Sequence, residues 1–187
     1  NKQMTTGEGG MLISADPATA AVARSERNQG RAPNMKSMDH ERLGFNYRLT
    51  DIQAALGTSQ LQKLDRFIAR REDLARRYDA ALADLDVVGP PGAPTGTVHA
   101  RHLYPVLVRD RAAVVAGLHA RGVGAQVHHV PIHHHPAYVA GTRPEDLPMT
   151  EALYAQLVSL PLFVDLTVDE QDRVVDALRA ALADVEA

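Results

Sequence analysis

The 187-residue chain has 45% hydrophobic and 23% charged residues, an ordinary globular composition that can form a core without stapling by disulfides or metal. Its 20 Lys and Arg residues face 23 Asp and Glu residues, and the formal net charge of -3 argues against nucleic acid or an anionic membrane as a partner. With no cysteine there is no thiolate chemistry, and a cytoplasmic location is the default expectation. No apolar run approaches the roughly 20 residues that span a bilayer.

The first part of the chain is polar and turn-rich. Residues 1–15 place a glycine-rich stretch before a short apolar run that starts at Met11, an order that predicts a tight turn leading into a buried strand. Pro17 and the alanines that follow it predict a short helix. The basic stretch from Ser25 to Leu43 predicts an exposed or partner-covered loop.

The strongest periodic pattern follows this loop. Thr50 and Gln53 form a capping-box signature, and apolar residues then recur at helical spacing, so the pattern predicts one long helix over about 50–85. The Gly- and Pro-rich stretch 89–96 predicts a rigid linker and a subdomain boundary. Beyond it the sequence predicts a small α/β lobe. Its first elements are a strand over 102–108, a helix capped by Asp110 and ended by Gly122, and a strand over 123–130. Two helices follow, one over 150–158 and one that begins at a second capping box formed by Thr167 and Glu170.

Lys2 is the first candidate for covalent chemistry because it lies just before the glycine-rich turn. A lysine amine in its neutral form attacks aldehydes, as carbonyl chemistry on lysine requires. The residues alone leave a solvated terminal lysine as the alternative. Thr5, Thr6 and Glu8 are similarly open: they either lie near a cofactor or satisfy the backbone of the turn.

Four ordered motifs, spread over nearly the whole chain, carry a resemblance to one family. They are K-x-x-T-T-G-E-G-G-M from Lys2 to Met11, G-F-N-Y-R-L leading into D-I-Q-A-A-L-G from Gly44 to Gly57, Q-V-H-H-V-P-I-H from Gln126 to His133, and S-L-P-L-F from Ser159 to Phe163. Together they resemble the motifs of the DegT/DnrJ/StrS family of sugar aminotransferases, which use pyridoxal 5'-phosphate (PLP).

The resemblance implies an α/β fold, that of fold-type I PLP-dependent transferases, with residues 1–49 as the end of the large domain, 50–88 as a connecting helix and 89–187 as the small domain. It implies that Lys2 bonds covalently to PLP and then moves the proton between substrate and cofactor. It also implies a homodimer whose active site lies at the interface, where Asn46 reaches the cofactor phosphate of the partner. The reaction it implies transfers an amino group, with glutamate as the expected donor, to a keto group of a nucleotide-linked deoxysugar.

The same resemblance assigns substrate contacts. His133 would point toward the sugar nucleotide, and His128 would line the same wall. Arg48 either binds a phosphate or carboxylate of the substrate or holds the start of the following helix by an internal ion pair. Five histidines within eight residues invite a metal site, but His129, His134 and His135 are interpreted as exposed local variations, and we expect no physiological metal.

The family's polypeptide is about twice as long as this chain, so we expect the chain to be the carboxy-terminal half of a longer protein. The other half normally supplies the phosphate-binding turn, the aromatic residue over the PLP ring and the aspartate on its nitrogen, so we expect this chain alone to be inactive. Two other hypotheses stay open. One is a non-catalytic dimerisation or interaction module. The other is a PLP-dependent sugar dehydratase, which Lys2 disfavours because that branch carries histidine there.

Overall fold

The computed structural model describes residues 2–32, 39–138, 141 and 143–186, with the backbone alone at 186. The chain forms two compact units, Lys2–Leu64 and Asp65–Ala187. The domain boundaries expected after residues 49 and 88 remain a prediction. No helix among the described residues combines the length and apolar character needed to cross a membrane.

The first unit contains two helices with clear start signals. Helix α1 (Pro17–Glu26) begins because both carboxylate oxygens of Asp16 accept backbone N–H groups in its first turn and proline occupies its first position. Helix α2 (Asp51–Leu61) begins at the capping box predicted from Thr50 and Gln53. The short helix predicted after Pro17 is therefore confirmed.

A close backbone approach fixes the loop after α1. The backbone N–H of Glu41 donates to the carbonyl oxygen of Gly30 at 2.8 Å. Gly30 has a φ of +76°, and a Cβ there would lie 1.8 Å from the carbonyl oxygen of Arg42. Only glycine permits both the left-handed conformation and this approach.

The second unit is a helical layer built on a short antiparallel sheet. Strand β1 (Tyr104–Leu107) pairs with β2 (Leu157–Leu160), with Tyr104 opposite Leu160, and these two strands make up the sheet within the described residues. The helices are α3 (Leu64–Ala81), α4 (Arg111–Ala120), α5 (Pro148–Gln156) and α6 (Val168–Glu186). The strand expected over 102–108 and the helix expected from Thr167 are confirmed.

The core of the second unit draws apolar side chains from α3, α4, α6 and both strands, and α4 and α6 pack against each other. Its large, fully buried members include Leu74, Tyr78, Tyr104, Val106, Val114, Leu118, Val158 and Leu178. Tyr78 and Tyr104 lie ring against ring, with centroids 4.8 Å apart. Burial raises the pKa of both phenols, and for Tyr104 the carboxylate of Asp79, which accepts its hydroxyl at 2.6 Å, raises the pKa further.

Three predicted elements are wrong in detail. The single helix expected over 50–85 is two helices, because Gln62 and Lys63 form a turn between α2 and α3. The buried strand expected after the glycine-rich turn is not formed, and Met11 and Ile13 are 84% and 90% exposed. The strand expected over 123–130 is reduced to a single bridge between Gln126 and Ser159, because no longer stretch finds a paired partner there.

The predicted cap of α4 offers a clean stability test. One carboxylate oxygen of Asp110 accepts the backbone N–H of Ala113 at 3.0 Å. We expect Asp110→Ala to lower the free energy of unfolding by about 1 kcal/mol, as loss of such a cap usually does. Asp110→Asn keeps a capping oxygen, so its free energy of unfolding should stay within roughly a few tenths of a kcal/mol of the parent value. Urea denaturation followed by circular dichroism measures both, and equal losses would contradict the capping role.

Candidate functional site

The segment after Lys2 forms a turn that is held by hydrogen bonds between its own residues. The backbone N–H of Gly7 donates to Oγ1 of Thr5 at 3.1 Å, and Oγ1 of Thr6 donates to the carbonyl oxygen of Glu8 at 2.8 Å. Gly7 has a φ of +81°, which explains glycine at that position. The two threonines thus satisfy the turn, one of the two roles considered for them, while Lys2 is exposed to solvent.

The start of α2 anchors this turn. The Gln53 side-chain amide closes the capping box with Thr50, and its Nε2 also donates to the carbonyl oxygen of Glu8 at 2.9 Å. One glutamine therefore caps a helix and holds the segment that follows Lys2. The sequence motif contained this glutamine, but its contact with a residue 45 positions earlier was not predicted.

Asn46 lies in an extended segment held against the end of α1. It forms an antiparallel bridge with Asn28, and the backbone N–H groups of Phe45 and Tyr47 donate to carbonyl oxygens at the end of α1 and just beyond it, at 2.7 and 2.8 Å. The rings of Phe45 and Tyr47 stack at 4.8 Å, and Asn46 is exposed. The fold therefore fixes the backbone of Asn46 while its side chain faces solvent.

Arg48 donates from Nη1 to Oδ1 of Asn28 at 2.8 Å. It also lines a cavity of about 450 Å³ whose wall carries three more arginines. These are Arg24, Arg27 and Arg31, with Ala21, Ser25, Asn28 and Ala32 completing the lining. Four arginines line this one cavity, and an arginine guanidinium is a forked donor suited to phosphate or carboxylate. The sequence showed that this stretch is basic but not that its arginines converge.

The second unit brings two of the motif segments together. The backbone N–H of Gln126 donates to the carbonyl of Ser159 at 3.3 Å, and the N–H of Ser159 donates back at 2.7 Å. The histidine-rich segment is thereby fixed beside the S-L-P-L-F segment. His128 follows this bridge, partly buried, with its ring 5.0 Å from that of His129 and edge-on to it.

His133 lies in a short 3₁₀ turn, and its side chain is only 6% exposed. Its Nε2 donates to Oε1 of Glu151 at 2.6 Å, and Nε2 of His134 donates to the same oxygen at 2.8 Å. The hydrogen bond from His133, and then that from His134, lowers the pKa of the Glu151 carboxyl. Glu151, in the first turn of α5, was not predicted as a site residue. No local pattern marks it, because its partners lie 17 and 18 residues away.

The predicted site residues therefore divide between the two units. Lys2, Asn46 and Arg48 belong to Lys2–Leu64, whereas His128 and His133 belong to Asp65–Ala187. Within each unit the structure adds a polar neighbour that the sequence did not reveal, Asn28 beside Arg48 and Glu151 beside His133.

Solved structures with this fold define its class. The chain superimposes on the aminotransferase TlmJ from Streptoalloteichus hindustanus with a TM-score of 0.86 at 31% identity, covering 97% of this chain and 50% of TlmJ. It matches Helicobacter pylori PseC, an aminotransferase involved in pseudoaminic acid biosynthesis, with a TM-score of 0.86 at 29% identity, covering 98% of this chain and 51% of PseC. The predicted fold class, the α/β fold of fold-type I PLP-dependent transferases, is confirmed.

Sequence comparison gives the family. Residues 1–179 match the model of the DegT/DnrJ/EryC1/StrS aminotransferase family, and the chain belongs to that family. GDP-perosamine synthase of Caulobacter vibrioides is 38% identical over 97% of this chain and 50% of its own length. The dTDP-3-amino-3,4,6-trideoxy-alpha-D-glucose transaminase of Streptomyces venezuelae is 36% identical over 92% of this chain and 45% of its own length. The chain spans about half the length of these curated relatives, and the resemblance seen in its four motifs is confirmed.

Proposed function

We propose that the full-length protein is a PLP-dependent sugar aminotransferase that transfers an amino group from glutamate to a keto group of a nucleotide-linked deoxysugar. The observation that carries this proposal is the family match across residues 1–179, which includes Lys2 and its turn. Two relatives named for perosamine and aminodeoxyglucose products support the substrate class. A cytoplasmic location and a homodimer complete the proposal.

The exposed polar groups of the first unit fit PLP in their chemistry. Lys2 offers a primary amine for an aldehyde, and Asn46 offers an amide N–H for a phosphate oxygen without adding charge. Bound PLP supplies the aldehyde and a conjugated ring that accepts electrons from the substrate carbon. Lys2 holds the cofactor through its side-chain nitrogen, and the same amine later takes and returns the proton of the substrate carbon.

Asn46 acts at the active site of the partner subunit, where it donates to the cofactor phosphate. Its backbone is fixed against the end of α1, so the amide is presented without ordering a flexible loop on binding. Gln53 keeps the segment after Lys2 on the start of α2. These contacts fix the backbone beside both groups before substrate arrives.

The substrate contacts lie on other residues. His133 donates to the sugar nucleotide, with Glu151 fixing the orientation of its ring, and His128 lines the same wall. Arg48, with the three arginines that share its cavity, suits the negatively charged phosphates of a nucleotide. Glu151 is thus a positioning residue for His133.

An interaction module without catalytic activity is the second candidate, favoured by one observation. Large apolar side chains are exposed along the first unit, including Met11, Ile13, Leu43 and Ile52, each at least 84% exposed. Exposed apolar side chains are typical of a surface that binds other protein where they adjoin one another. It fits a non-catalytic module as well as it fits an enzyme subunit, so cofactor chemistry has to separate the two.

The deciding experiment asks whether Lys2 takes PLP. Full-length protein mixed with PLP should show a visible absorption band that borohydride abolishes, and the peptide containing Lys2 should then carry the reduced cofactor. This chain has three lysines, Lys2, Lys36 and Lys63, so peptide mass spectrometry separates them readily. A Lys63→Arg control should label at the same site. Absence of the band, or a label only at another lysine, would favour the interaction module.

A further inference from the structure

Two imidazoles and a carboxylate converge in the second unit. One ring nitrogen each of His133 and His134 and a carboxylate oxygen of Glu151 all lie within 4.8 Å of one another. The sequence offered only a row of histidines, whose spacing along the chain does not make them converge. The fold selects two of them and adds an acidic residue from α5.

This set of ligand atoms matches the preference of divalent transition metals. Two histidine nitrogens and one glutamate oxygen form the ligand set of many zinc sites that keep a fourth position for water. Zinc lies about 2.0–2.2 Å from such ligands, so a tetrahedral ion holds them about 3.3 Å apart. The two N–O distances here are 2.6 and 2.8 Å, so an ion requires each nitrogen to move about 0.6 Å away from the shared oxygen and to give up its hydrogen bond to that oxygen. The two nitrogens lie within 4.8 Å of each other and would have to approach about 3.3 Å.

The three candidate ligands differ in how far their side chains are buried. The side chain of His133 is 6% exposed and fixed, whereas those of His134 and Glu151 are 29% and 31% exposed. The ring of Tyr154 meets His134 edge-on at 5.5 Å and limits its rotation. One ligand is therefore fixed in the protein, while the other two lie where an ion arrives from solvent and can adjust to it.

We propose that His133, His134 and Glu151 form a binding site for one divalent transition metal ion, with zinc, nickel and cobalt as the matching class and a solvent molecule as fourth ligand. The site does not rest on the proposed aminotransferase function. Since Glu151 also orients the ring of His133 through Nε2, a bound ion takes over the atom by which Glu151 fixes that ring.

Titration calorimetry of the full-length protein with zinc chloride tests the site. His134→Ala and Glu151→Gln should each weaken the affinity of one zinc site by at least about tenfold, since loss of even an outer-shell partner costs 10- to 100-fold. His135→Ala is the matched control, because it removes a neighbouring histidine outside the cluster. Its zinc affinity should stay within about twofold of the parent.

Two results would overturn the proposal. One is the absence of saturable zinc binding that depends on Glu151. The other is an equal loss in His134→Ala and His135→Ala, which would indicate loose binding along the whole histidine-rich segment. Circular dichroism of each variant shows that it is folded, and Glu151→Gln keeps the side-chain shape, so a loss in that variant reports on the missing ligand charge.

Discussion

Lys2→Ala in the full-length protein is expected to abolish amino-group transfer, lowering kcat/KM by at least about 10³-fold, because one amine holds the cofactor and also moves the proton. Removing a positioned acid–base group alone costs roughly 10²–10⁴-fold. The turn that follows Lys2 is held by hydrogen bonds of Thr5, Thr6 and Gln53, none of which uses the lysine side chain. The fold should therefore survive, as circular dichroism would show. The release of 2-oxoglutarate from glutamate, with a nucleotide-linked keto sugar as acceptor, measures the rate.

A matched control and a rescue separate chemistry from structure in this test. Lys63→Ala removes the lysine in the turn between α2 and α3 and should leave the rate within about twofold. A small primary amine added to Lys2→Ala should restore part of the proton transfer, because it replaces the missing base. If Lys2→Ala keeps more than a tenth of the parent rate, roughly, the proposed role of Lys2 is wrong.

The parts of the fold that were predicted correctly depend on neighbours in sequence. The helix starts at Thr50 and Thr167 use side chains three residues apart, and both capping boxes are present in the structure. The same holds for Asp110, whose cap lies within one turn. Local hydrogen bonds of this kind can be recognised from residue types at fixed spacing.

The elements that were predicted wrongly are of two kinds. Some depend on partners that are distant in sequence, and one is a helix that is interrupted where no Gly or Pro signals the interruption. Apolar periodicity continues through the turn at Gln62 and Lys63, because Leu61 and Leu64 keep a spacing of three and no Gly or Pro interrupts it. The apolar run at Met11 has the composition of a strand, but a strand also needs a partner, and that is not encoded locally. In the same way, the contact of Glu151 with two histidines is set by the position of α5 and not by any motif.

Arg71→Met is expected to be among the most destabilising single changes in the second unit. The Nη1 of this buried arginine in α3 donates to three backbone carbonyls, those of Arg101 and His102 before β1 and of Leu162 after β2. Burial lowers the pKa of the guanidinium because it removes the charge from water. The three hydrogen bonds offset this loss of hydration. Methionine fills similar space but leaves the carbonyls without this donor. Each unsatisfied buried group costs roughly 1–3 kcal/mol, so we expect a loss of about 3 kcal/mol.

Arg76→Met provides the comparison, since Arg76 lies one turn further along α3, 66% exposed in a surface pair with Asp73. Exposed pairs of this kind contribute about 0–1 kcal/mol, so this variant should unfold close to the parent. Urea denaturation of the 187-residue chain is followed by tyrosine fluorescence, to which the buried Tyr78 and Tyr104 of the second unit contribute. If the two variants lose equal stability, the carbonyl contacts of Arg71 do not hold the ends of the two strands to α3. If Arg71→Met alone falls by several kcal/mol, on the order of 3, one buried cation joins the helix to the chain on either side of the sheet.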